Sequence, residues 1–145
     1  MYYYQSTIMK TKLIFLIAVI AVTTTLFSFQ DKPKFDLKSS IARGKEVYSA
    51  QCISCHMEQG EGIENVYPPL AKADYLKKDK SVLAGQILHG ITGEIKVNGV
   101  AYNGEMTPFE HLSDQEVSDV LNYVRNSWGN KGDAVRPEDV KAQRK

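Results

Sequence analysis

The residues best able to do chemistry are Cys52, Cys55 and His56, which stand together as Cys52-Ile53-Ser54-Cys55-His56 and include both cysteines of the chain. Two thiols separated by two residues allow several kinds of chemistry. In an oxidising compartment they can close a short disulfide or cycle as a redox dithiol. They can also supply part of a zinc site, but a structural site takes four Cys or His ligands and the chain has no second cysteine pair. Finally, they can bond the two vinyl groups of a haem as thioethers while the imidazole that follows reaches the iron. Cys-x-x-Cys-His is the attachment signature for that chemistry, and it uses all three residues at their actual spacing. A dithiol oxidoreductase would instead place its pair in a strand-to-helix unit, a pattern the flanking residues do not spell.

An iron held on one face by His56 has a second axial position to fill. Met57 is covalently next to His56 and cannot readily reach the other face, while Met1 and Met9 belong to the N-terminal segment, which leaves Met106 as the well-placed thioether. His89 and His111 are its rivals, because a second imidazole also binds iron and generally gives a lower potential than His/Met ligation. For both, the plain reading is a surface or helix-end side chain.

These residues need elements to position them. Upstream of the motif, Ile41, Gly44, Val47 and Tyr48 fall at helical offsets with Ser39 or Ser40 available as N-cap, so a helix is predicted to run into the attachment site. Farther on, Ser113-Asp114-Gln115-Glu116 is a capping box with Leu112 and Val117 placed as a hydrophobic staple. The helix it opens carries Val117, Val120, Leu121, Val124 and Trp128 on one face, and Gly129 can close it. Between these ends, Leu70 to Leu76 and Ser81 to His89 are short segments expected to wall the cofactor. The period then changes: Ile95 and Val97 alternate up to Asn98-Gly99, and Val100 and Tyr102 alternate after it, which predicts a small β-ribbon or extended loop. Gly90, Gly93 and Gly104 add the bends that let this segment carry Met106 around the cofactor.

Over residues 39 to 130 the chain resembles the class I mono-haem cytochromes c, on three separated segments: Cys52 to His56, Pro68-Pro69-Leu70, and Met106-Thr107-Pro108 before the last long helix. The resemblance implies an all-α class I fold of three to five short helices around one covalent haem c, with Met106 as the sixth ligand of its iron. It further implies that the Pro68 carbonyl holds the second ring nitrogen of His56 and that Leu70 packs on the haem. Gly44 and Tyr48 are expected to meet the Tyr123 and Val124 region where the first and last helices cross, which accounts for a glycine inside a helix. Tyr67, Tyr102 and Asn103 are candidate partners for the propionates, though packing or turn roles are as common for such residues. The haem edge near the cysteines is the expected electron port.

Residues 1 to 30 have another character. Lys10 and Lys12 precede an unbroken apolar run from Leu13 to Val22, followed by small and polar residues, the order of an export signal. Leu13 to Phe29 also approaches the length of a membrane span, so both a cleaved signal and an uncleaved membrane anchor are open, with Met1 or Met9 as the start. Residues 31–38 then read as a linker, 39–130 as the domain and 131–145 as a charged, solvated tail in which Pro137 and Glu138 can begin a short exposed helix. Without residues 1 to 30 the chain keeps 16 Lys and Arg against 17 Asp and Glu, a net charge of −1, so it has no basic field of the kind nucleic-acid binding needs.

The expected activity is single-electron transfer in the periplasm, with redox proteins as partners, because an iron with both axial positions filled changes charge without binding substrate. The alternatives are a cytochrome subunit of a larger oxidase, reductase or dehydrogenase complex, and a haem enzyme or sensor with a labile sixth ligand.

Overall fold

The computed structural model describes Lys12 and residues 34–144. The expected signal or anchor, and residues 31–33 of the expected linker, lie outside the described residues. From Phe35 onward the chain forms one compact unit. Among the described residues it is helical, with one two-stranded ribbon and no helix long and apolar enough to cross a membrane.

Helix α1 runs Leu37–Gln51. It starts ahead of Ser39 and Ser40, because Asp36 is the N-cap and its carboxylate accepts from Ser39 N–H at 2.8 Å. The buried residues of α1 are Ser40, Gly44 and Tyr48, a stripe four residues apart that lies along one face. That face packs on α4 (Asp114–Val124), which opens on the expected capping box: Ser113 Oγ accepts from Glu116 N–H, and the Glu116 carboxylate accepts from Ser113 N–H. At the crossing a Cβ on Gly44 would stand 1.9 Å from the Asp119 carbonyl oxygen and 2.9 Å from Tyr123 Cβ. The contact is therefore centred one turn earlier on α4 than Tyr123 and Val124, and only hydrogen fits there. Tyr48 continues the contact against Tyr123 and Trp128, at ring distances of 5.4 and 5.1 Å.

Two sequence readings change. Trp128, expected as the last apolar position of α4, lies beyond its end, because the helix stops at Val124 and the chain turns through a left-handed Trp128 and Gly129. The Asn130 side chain then caps it by donating to the Val124 carbonyl at 2.8 Å. The indole nevertheless returns to the expected neighbours, 5.2 Å from the Tyr123 ring.

Of residues 131–145, read as a solvated tail, the described 131–144 pack instead. A helix does form at Pro137–Lys141 (α5), but Val135 and Val140 are 0% exposed and belong to the main core. The reason is polar as well as apolar: the Asn122 side chain donates to the Val135 carbonyl and accepts from its N–H, both at 2.8 Å. Asp139 also pairs with Lys80 at 2.7 Å.

The middle of the chain forms the rest of the wall. After the single-turn helix α2 (Ile53–His56) come a 3-10 turn at Asp74–Lys77, helix α3 (Lys80–His89), and the ribbon of β1 (Ile95–Val97) with β2 (Val100–Tyr102). Asn98 and Gly99 at its tip both have positive φ, 51° and 83°, as a tight two-residue hairpin requires. Asp74 and Asn98 bind each other's backbone N–H at 2.9 and 2.7 Å, which pins the ribbon to the 3-10 turn.

Candidate functional site

Cys52 caps the end of α1 and opens α2, so the two thiols and the imidazole lie on one helical turn against one cavity. Helical backbone brings positions three and four apart onto one side, so Cys52, Cys55 and His56 share a face. Both thiols are free, and burial, with the neighbouring Cys55, pushes Cys52 up to about 11. His56 is held by its Nδ1, 3.0 Å from the Pro68 carbonyl oxygen, which leaves Nε2 as its free nitrogen. Burial keeps its pKa below the ordinary histidine value, opposed by that bond to Pro68. Neutral imidazole is the form that ligates metal.

The loop that brings Pro68 to His56 depends on close backbone contact. Gly62 N–H donates to the His56 carbonyl at 3.1 Å, and a Cβ on Gly62 would lie 2.3 Å from the Tyr67 carbonyl oxygen. The Gly60 carbonyl accepts from both Leu70 and Ala71 N–H, at 2.7 and 2.8 Å, and Asn130 reaches across to the Leu70 carbonyl at 2.7 Å. Leu70 therefore sits on the cavity wall, next to Pro68 and Pro69.

Met106 lines the same cavity. Its backbone pairs with Ile91 in both directions, at 3.0 and 3.1 Å, just past the end of α3. Gly90 makes the pairing possible: its φ is +77° and a Cβ there would stand 2.4 Å from the Met106 carbonyl oxygen. The rival ligands lie elsewhere. His89 bonds the Gln143 carbonyl through Nε2 at 2.9 Å and faces Glu110, while His111 is exposed and rests against Phe109; neither lines the cavity. Met57 is also outside it, with its carbonyl accepting from Tyr48 Oη at 2.6 Å. Of the three candidate polar partners, Tyr67 and Tyr102 line the cavity and Asn103 does not.

Most of the wall is hydrocarbon: Leu76 from the 3-10 turn, Leu83 and Ile87 from α3, Val97 from the ribbon, and Val120 and Leu121 from α4. Two adjacent thiols, one imidazole nitrogen, one thioether and an apolar wall are a donor set and surroundings that fit a haem. Zinc fits less well, since among the described residues no three His, Cys, Asp or Glu gather as a metal-binding group.

The sequence reading missed the polar side of the scaffold. Asp119 on α4 is 2% exposed, yet it accepts from Ser40 Oγ, from Arg43 through two nitrogens at 2.7 and 2.9 Å, and from Gln115 at 2.8 Å. Asn122 joins the group through Ser40 at 2.8 Å. The available signal was Ser118, Asp119 and Asn122 on the face of α4 opposite its apolar stripe, a pattern that ordinarily marks a solvated side.

Comparison with known proteins bears on the same residues. The family model described as cytochrome c matches residues 41–128. Cytochrome c-552 of Thermus thermophilus is 41% identical over 92 residues, 61% of this chain and 70% of that protein. The cytochrome c subunit of the quinone alcohol dehydrogenase of Gluconobacter oxydans is 38% identical over 90 residues, 60% of this chain but only 18% of that subunit. Cytochrome c6 of Cyanidium caldarium is 29% identical over 112 residues, 73% of this chain and 88% of that protein. Because the match runs from the first helix past the last long one and takes in every wall of the cavity, the chain belongs to the cytochrome c family, whose members bind one haem c covalently.

Proposed function

We propose that the protein is a single-electron carrier in which Cys52 and Cys55 hold haem c as thioethers, with His56 Nε2 and the Met106 thioether as axial ligands. When bound, the haem supplies an iron that gains or loses one electron. The observation that carries the reading is the common cavity: His56, fixed through Nδ1 by the Pro68 carbonyl, and Met106, fixed through its backbone to Ile91, line it together while His89 and His111 are engaged outside. With two side chains in the axial positions, the protein keeps small ligands and substrate off the metal, which favours electron transfer over catalysis. The thioether raises the potential and the apolar wall excludes water, so little solvent must reorganise when the charge changes. Leu70, on the cavity wall beside Pro68, would supply apolar contact to the haem.

The test is a proton NMR spectrum of the reduced holoprotein. A ligating methionine places its methyl directly over the ring, so an upfield-shifted Met methyl signal is expected, and it should vanish in Met106→Ala. Absence of such a signal from the unaltered protein would overturn Met106 as ligand.

Export to the periplasm, as a soluble or anchored protein, is part of the same proposal and rests on the order of residues 10 to 29. A second reading, subunit of a dehydrogenase complex, draws on the similarity to cytochrome c subunits of alcohol and gluconate dehydrogenases, of which this chain spans less than a quarter. Purification from whole native cells, soluble and membrane fractions alike, distinguishes the two: a free carrier elutes alone, a subunit with its dehydrogenase.

A further inference from the structure

Four cavity-lining residues are exposed, Val66, Gly104, Glu105 and Thr107, and they mark where the cavity opens to solvent. The two segments that carry them meet there, since a Cβ on Gly104 would lie 3.1 Å from the Val66 carbonyl oxygen. Val66 is 48% exposed and the neighbouring Ile63 39%, two of only four large apolar side chains left so open among the described residues. Both belong to one tight turn, in which Ile63 N–H donates to the Tyr67 carbonyl at 2.9 Å and Tyr67 N–H returns to Ile63 at 2.8 Å; Glu64 lies exposed at its tip.

The charges placed at this opening, Glu105 on the lining and Glu64 at the tip of the turn, are acidic. Among the described residues, Glu105 is the only Asp, Glu, Lys or Arg lining the cavity. Between Lys45 and Lys72 the chain carries Glu46, Glu58, Glu61 and Glu64 and no further Lys or Arg. Of the neighbouring cations, Lys45 is exposed on α1 beside Glu46, and two others are directed elsewhere. Lys96 alternates with Ile95 and Val97, which line the cavity, and so points to the other side of the ribbon. Lys72 lays its stem along Gly129.

We infer that this opening docks a redox protein that presents an apolar centre ringed by Lys and Arg. The inference rests on the electron-carrier reading and adds the chemistry of the partner. Ile63 and Val66 lose water on contact, while Glu64 and Glu105 steer a cationic surface and set its orientation; an acidic partner meets like charge at the same place. Since the exported part of the chain has a net charge near zero, the steering comes from this local patch rather than from the whole molecule.

The reduced full-length holoprotein, mixed in a stopped-flow spectrometer with one cationic oxidant, tris(1,10-phenanthroline)cobalt(III), and one anionic oxidant, ferricyanide, tests this. Between about 10 and 500 mM ionic strength the Debye length falls from roughly 30 Å to about 4 Å. The cobalt rate is expected to fall roughly tenfold over that range and the ferricyanide rate to stay level or rise. Poly-lysine at low salt is expected to slow the cobalt reaction. The double variant Glu64→Gln, Glu105→Gln should remove at least about half of the salt dependence, whereas Glu138→Gln in α5, outside the cavity, should remove none. A cobalt rate that does not fall with salt, or falls as steeply in the double variant, overturns the docking face and leaves the carrier reading standing. Failure to exchange with either oxidant overturns the carrier reading itself.

Discussion

Among single residues, Met106 makes the sharpest difference. Under the proposed His56/Met106 ligation, replacing it with Ala would open one side of the iron, so the reduced Met106→Ala protein is expected to bind carbon monoxide promptly and to show a lower midpoint potential in a redox titration. His89→Ala and His111→Ala, at side chains engaged outside the cavity, should leave the visible spectrum unchanged. That Cys52, Cys55, His56 and Met106 gather on one cavity was legible from the motif's residue types and spacing together with family resemblance, and the Pro68 contact was legible through that resemblance. Asp119, Asn122 and Asn130 were not. Their partners lie far away in sequence: Ser40 is 79 residues from Asp119 and 82 from Asn122, and Leu70 is 60 from Asn130. A polar side chain carries no mark of whether water or a distant hydroxyl will satisfy it, and only the assembled crossing decides.

For helices, most was legible at the starts and less at the ends. The capping box at Ser113 and the turn at Asn98-Gly99 follow local rules, whereas the end of α4 depends on Asn130 folding back from six residues beyond. The α1–α4 crossing is the contact on which the scaffold depends most. Gly44→Leu, which drives a side chain into the Asp119 backbone, is expected to lower stability by about 3 kcal/mol or more in chemical denaturation. The N-caps give the protein an acid limit. Hydrogen bonds from Ser39 to Asp36, Ser81 to Asp79 and Ser113 to Glu116 hold these carboxylates below their ordinary pKa values. A depressed folded pKa contributes stability that is complete above the unfolded value of about 4 and is lost as pH falls through the folded one. Urea midpoints should therefore drop as the pH is lowered from about 5 to 3, and Glu116→Gln, which keeps the cap but cannot titrate, should make that drop shallower.

At the scale of the whole molecule, the expected charged tail became part of the fold, because two valines among charged residues are a weak sequence signal but fill a gap between α3, α4 and α5. Ending the chain after Asn130 is expected to lower the thermal midpoint sharply, and Val135→Ala or Val140→Ala alone should cost roughly 1–3 kcal/mol. An unchanged midpoint in the shortened protein would mean that the tail packs without contributing. The core that this tail completes keeps Cys52, Cys55, His56 and Met106 on one cavity, and the proposed carrier would fill both axial positions with its own side chains. Exposing the reduced, full-length holoprotein to carbon monoxide and recording its visible spectrum tests that most directly. The expected result is a spectrum that does not change. Prompt, tight formation of a carbon monoxide complex would contradict it and make the protein a haem enzyme or sensor instead.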